Sequence, residues 1–238
     1  MDTSVTYFSL FWSFLMKRQI ILLIVSTIIL SGCSTNTIPT DTIPSTTQQE
    51  AIQQSIFILW DSLTAWYQLA YEDSYPAQLE KKLKSLWYNI RIINAGESGD
   101  TSAWLKSRLS RITADAISGD IALIVIGGND GLQWLPTDAL ENNIRDIVIS
   151  LQNRGIKTII GGMQIPTNLW IQYRTAFAEL YPRVASQTDT ILIPFILSWV
   201  AGIPELNLPD KIHPNASWQA IISQTVADTL LKNNLLSQ

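Results

Sequence analysis

Four short polar segments gather the side chains of this chain that could do covalent chemistry. They are Asp61-Ser62-Leu63-Thr64, residues 94–101 (NAGESGDT), Gly127-Gly128-Asn129-Asp130-Gly131 and Asp210-Lys211-Ile212-His213-Pro214-Asn215. Each alone has a structural explanation as a helix cap or a turn. Together they supply a nucleophile, a base, a carboxylate to orient it and donors for an oxyanion. A serine hydroxyl is a weak nucleophile unless a base takes its proton during attack. His213 is the only imidazole in the chain, so a serine–histidine mechanism here must use it. Asp210 lies three residues earlier, close enough for one loop to hold its carboxylate against a ring nitrogen. Pro214 pushes His213 away from helical angles and keeps that loop extended. The oxygen of a tetrahedral intermediate needs donors aimed at it, and the candidates are the backbone N–H groups of Ser62 and Gly99 and the side-chain amide of Asn129. Ser98 competes with Ser62, because Gly96-Glu97-Ser98-Gly99-Asp100 comes close to a G-x-S-x-G nucleophile elbow. Its last position is Asp100 rather than glycine, and an elbow there would leave Ser62 and Asn129 without a task.

Such segments meet only if the elements between them bring them to one edge. Short β-rich apolar runs at 56–59, 88–93, 121–126, 157–160 and 190–195 alternate with helically spaced apolar residues over 76–86, 102–117, 137–153 and 169–186. A last helix is predicted over 216–231, with Asn215 as its N-cap. Continuously apolar strands separated by helices imply a parallel sheet covered on both faces. The expected fold is therefore a three-layer α/β/α sandwich with a five-stranded parallel sheet. Any site is expected at the carboxyl ends of its strands. Three of the polar segments follow the first three strands, and the fourth precedes the last helix.

Composition narrows the function classes. The 238 residues are 47% hydrophobic and 15% charged, with a net charge of −4, so no basic stripe is available for nucleic acid. One cysteine excludes a disulfide framework, and one histidine with one cysteine argues against a zinc cage. No metal or cofactor is expected. Residues 20–30 form an uncharged apolar run behind Lys17 and Arg18, shorter than the roughly 20 residues of a membrane span and suited to an export signal. The run ends in Leu30-Ser31-Gly32-Cys33, which resembles a bacterial lipoprotein signal with cleavage before Cys33 and lipid on its sulfur. Met16-Lys17-Arg18 is a basic start in itself, so Met16 is the simpler initiation site and residues 1–15 are surplus to it. Residues 1–32 are thus read as a signal region, 33–54 as a Ser/Thr/Pro/Gln-rich tether, and 55–236 as the folded domain. The expected location is the extracytoplasmic face of the cell envelope, held to the membrane through the lipid and monomeric.

The four segments resemble the ordered sequence blocks of the SGNH hydrolases, or GDSL-type esterases. ILWDSLTA surrounds Ser62, NAGESGDT includes Gly99, IGGNDG surrounds Asn129 and DKIHPN surrounds His213. The continuations WYQLA, GLQWLP and IPELNLPDKIHPN look most like the periplasmic thioesterase and lysophospholipase branch. The resemblance implies a flavodoxin-like fold, a Ser62–His213–Asp210 triad and an oxyanion hole from Ser62, Gly99 and Asn129. It also implies small acyl esters, lysophospholipids or acyl thioesters as substrates. The stretch 197–208 is apolar and poor in aromatic residues, which suits an acyl chain and equally a loop that covers the core. A deacetylase of cell-wall or exopolysaccharide sugars is the second enzymatic reading. The rival from another class is a catalytically dead binding lipoprotein in which Trp60 blocks the nucleophile.

Trp60 is the one departure from the first block, which in the resembled family opens with glycine. Tryptophan is abundant here, with nine residues, and glycine scarce, with eleven. Trp66, Trp87, Trp104, Trp134, Trp170, Trp199 and Trp218 also stand where the family has glycine or a turn or small site accepts it; Trp87, for instance, follows a predicted helix end that wants glycine. The expectation is that these eight positions are glycines encoded by UGA and written as tryptophan.

Overall fold

The computed structural model describes residues 53–64, 70–166, 168–207 and 215–237. Five parallel strands, β1 (Gln54–Leu59), β2 (Ile90–Asn94), β3 (Ile121–Ile124), β4 (Lys157–Gly161) and β5 (Ile191–Ile193), lie in the order β2-β1-β3-β4-β5. In register, Ile56 sits beside Ile92 and Ile121, and Leu123 beside Ile159. Every residue of β1 and β3 is buried, which is why these runs carry no alternation of polar and apolar residues.

Six helices cover the sheet: α1 (Tyr75–Ser85), α2 (Ser102–Ile112), α3 (Gly128–Leu132), α4 (Thr137–Gln152), α5 (Ile171–Gln187) and α6 (Ala216–Lys232). α1 packs on α6, while α2 packs on α4 and α4 on α5. Side-chain oxygens cap three of them: Ser74 accepts from Ala77 N–H, Thr101 from Trp104 N–H and Asn215 from Trp218 N–H. The result is the expected three-layer sandwich, in the strand order of flavodoxin-like folds.

The differences from expectation have local causes. β1 begins at Gln54, because that side chain is buried and bonds the carbonyls of Gly119 (2.7 Å) and Leu235 (3.2 Å). α2 stops at Ile112 rather than 117. There the Thr113 hydroxyl turns back onto the Leu109 carbonyl (2.8 Å), and Arg154 binds the carbonyls of Thr113 and Ala116. The segment 127–131, in which no helix is predicted from sequence, opens into the short helix α3.

Candidate active site

β1 ends at Leu59, and the chain passes through Trp60 into a tight 3₁₀ turn, Ser62–Thr64. Asp61 organises that turn from below. Its carboxylate accepts the Leu63 N–H (3.1 Å), and its carbonyl accepts both the N–H (3.2 Å) and the hydroxyl (3.0 Å) of Thr64. Burial pushes the Asp61 carboxyl up to about 6, against the Leu63 hydrogen bond that favours its ionised form. Ser62 opens the turn and is half-buried.

The second loop leaves β2 at Asn94, whose amide donates to the Thr64 carbonyl (2.9 Å) and accepts from Gly96 N–H (3.0 Å). Only glycine fits at 96, since a Cβ would lie 1.6 Å from the Thr64 hydroxyl oxygen. Next, Glu97 N–H donates to the Trp60 carbonyl (3.2 Å), and Gly99 turns the chain at φ +83°. The third loop follows β3. The place of a Cβ on Gly128 is 3.2 Å from the Asp61 carboxylate, and the Asn129 amide donates to the Asp100 carbonyl (2.9 Å). Asp130 is buried, taking the N–H (2.9 Å) and hydroxyl (2.6 Å) of Ser102.

These contacts bring Ser62, Gly99 and Asn129 to the same end of the sheet, on three loops that touch one another. The N–H groups of Ser62 and Gly99 have no hydrogen-bond partner among the described residues. Asp210 and His213, like Cys33, lie outside the described residues. The described residues on either side of that loop are joined, because Asn215 N–H donates to the Leu206 carbonyl (3.0 Å). One turn into α6, the buried Gln219 accepts from Tyr75 N–H (2.9 Å) and donates to the Leu63 carbonyl (3.5 Å). The start of α6 is thereby docked on the serine turn.

Ser98 is exposed in the middle of the loop between β2 and α2, several residues from either element, and not in a sharp turn leading directly from strand to helix. Trp60 does not stand over Ser62; its ring is fully buried and packs inward against Tyr75, with centroids 5.5 Å apart. In the stretch 197–208, Val200 is fully buried and Leu197 packs on the core, whereas Trp199 and Ile203 are exposed. The first two are part of the core packing.

Sequence reasoning missed three supporting residues: Gln219, Asp100 and Arg108. Arg108 is nearly buried, and its guanidinium grips the Asp100 carboxylate and the Ala95 carbonyl (2.7 Å). The available signal was a polar residue at a position where helical spacing asks for an apolar one, which holds for Gln219 in α6.

Comparison with known proteins identifies the family. The profile of the GDSL-like Lipase/Acylhydrolase family matches residues 61–221. The esterase TesA of Pseudomonas aeruginosa is 32% identical over 203 residues, 85% of this chain and 96% of that protein. Thioesterase 1/protease 1/lysophospholipase L1 of Escherichia coli K12 is 30% identical, covering 77% and 86% of the two chains. The crystal structure of the psychrotrophic esterase EstA from Pseudoalteromonas sp., inhibited by monoethylphosphonate, superposes with a TM-score of 0.71 at 28% identity, over 76% of this chain and 98% of that one. With its parallel sheet, its serine turn and a match across the greater part of its length, the chain belongs to the GDSL-like lipase/acylhydrolase family and is an SGNH-type hydrolase.

Proposed function

We propose that the chain is an exported, lipid-anchored serine esterase that cleaves carboxylic ester or thioester bonds through an acyl-enzyme. The Ser62 hydroxyl oxygen attacks the acyl carbon while its proton passes to His213, which Asp210 orients. The carbonyl π electrons move onto oxygen, and the resulting oxyanion takes hydrogen bonds from Ser62 N–H, Gly99 N–H and the Asn129 amide. Collapse breaks the bond to the alcohol or thiol, which leaves with the proton from His213. Water then repeats the attack with His213 as base, freeing the acid and restoring Ser62. One observation carries this reading: the Asn129 amide is held on the Asp100 carbonyl, immediately after Gly99, while Glu97 ties the same loop to the residue two before Ser62. Two separate loops thus bring candidate donors to the serine turn.

The relatives' names favour acyl esters, lysophospholipids and acyl thioesters as the substrate class. Cys33 carries the lipid, the mature chain starts there, and the enzyme works on the outer side of the membrane that holds it. A fluorophosphonate applied to the native protein should label Ser62. Ser62→Ala should lower hydrolysis of a short p-nitrophenyl ester by several powers of ten, while Ser98→Ala leaves it largely intact. An adduct on Ser98 overturns the assignment.

A further inference from the structure

Four helices end in one and the same hydrogen-bonded turn. After α1, Trp87 N–H donates to the Lys84 carbonyl (3.0 Å) and Tyr88 N–H to the Leu83 carbonyl (3.2 Å). After α3, Trp134 donates to Gly131 (3.2 Å) and Leu135 to Asp130 (2.9 Å). The ends of α4 and α6 repeat the pattern with Gly155 (2.8 Å, to Gln152) and Asn234 (3.1 Å, to Leu231) in the same place. This turn requires a left-handed residue, and the φ angles are 68° at Trp87, 58° at Trp134, 73° at Gly155 and 51° at Asn234. Glycine and asparagine are the residues it selects. A tryptophan there sets its Cβ against the next carbonyl. The remaining non-glycine residue with positive φ among those described is Asp189, whose short polar side chain also tolerates the region.

Other tryptophans are equally out of place. Trp60 is fully buried, yet the buried side-chain polar atoms without a partner among the described residues are its own Nε1 and the hydroxyl of the neighbouring Tyr75. A buried indole N–H ordinarily finds an acceptor. Trp104, Trp170 and Trp199 are 68%, 76% and 72% exposed, and Trp87 is 94% exposed, although tryptophan is on average a highly buried residue.

We infer that positions 60, 66, 87, 104, 134, 170, 199 and 218 carry glycine in the native protein, because its gene reads UGA as glycine. One reassigned codon accounts for all eight positions at once, including Trp66, which lies outside the described residues, and Trp218, which packs acceptably in α6. It also brings glycine from 11 residues close to the usual share of about 7%. The inference does not depend on the esterase reading. Mass spectrometry of the protein from its own host should find glycine at 87 and 134, with UGA at all eight codons. Tryptophan in either peptide, or UGG at any of the eight, overturns it. In the chain as written, Trp87→Gly and Trp134→Gly should each raise Tm by about 2–8 °C, while Gly155→Trp in the same turn lowers it. A fall in Tm for both glycine variants also overturns it.

A separate observation concerns the loop that presents Gly99. Arg108 ties the Ala95 carbonyl at its start to the Asp100 carboxylate at its end, and the Asp100 carbonyl in turn holds the Asn129 amide. We propose Arg108 as a positioning residue for the oxyanion donors, a role that rests on the esterase reading. Displacement of such donors by ~1 Å costs on the order of 10²-fold in rate. Arg108→Gln should therefore lower kcat by about 10–100-fold with KM for a short ester little changed, and Arg108→Lys should recover part of the loss. Asp100→Asn, which keeps the carbonyl but weakens the clamp, should fall in the same direction. Unchanged kcat in folded Arg108→Gln and Asp100→Asn overturns the role, whereas an inactive parent enzyme isolated from its own host overturns the esterase reading instead.

Discussion

Replacing Asp61 by asparagine should stabilise the protein at neutral and alkaline pH and do little at acid pH. Burial lifts this carboxyl from 3.8 to about 6, so between those values the folded chain holds a proton that the unfolded chain has released. Stability therefore falls as pH rises through this window, and the loss is complete above about 6. A rise from 3.8 to about 6 corresponds to ~3 kcal/mol. Asp61→Asn keeps an oxygen to accept the Leu63 N–H but carries no charge to desolvate. For a domain of this size ~3 kcal/mol is about 6–12 °C in Tm. Thermal unfolding of parent and variant across the acid-to-alkaline range measures it. The two curves should converge near pH ~4 and separate to that extent by pH ~8. A separation that is the same at both ends, or a variant less stable in alkali, would refute burial as the cause of the raised pKa.

Asn129→Ala should cost roughly 10²–10³ in kcat with little change in KM, measured on a short ester, since its amide is assigned to the oxyanion. With His213 as the proposed base, kcat/KM should fall in acid as its imidazole takes up a proton; a flat profile with chemistry rate-limiting would exclude histidine. Cys33→Ser should move the protein from the membrane to the soluble fraction or block its processing. Fractionation followed by N-terminal sequencing decides between these and an unaffected product.

The sheet was legible because its strands are buried on both sides: runs such as Ile121–Ile124 need no partner to declare themselves. Strand and helix ends were less so, since they depend on residues far away. Gln54 joins β1 only because Gly119 and Leu235 lie where its amide can reach. The polar segments announced Ser62, Gly99 and Asn129 through chemistry and order along the chain. Their supports did not. Nothing in the spacing of Arg108 says that it clasps the Ala95 carbonyl, and Gln219 meets the Leu63 carbonyl across 156 residues of chain. The helix-end tryptophans were visible from sequence as misplaced, but the bond pattern they share with Gly155 and Asn234 required coordinates.

The wiring of β1 bears on when the chain can fold. It is made first, yet it lies inside the sheet, with β2 on one side and β3 on the other. Its first residue is latched from the far end of the sequence: Gln54 donates to the Leu235 carbonyl and accepts from Ser237 N–H at 2.9 Å, and Lys157 adds a bond to the same carbonyl at 2.7 Å. Contacts so distant along the chain form late and slowly. A chain made only as far as β5 has all five strands but not yet the residues that close this latch. The first strand is therefore held open at its start until residues 235–237 have been made.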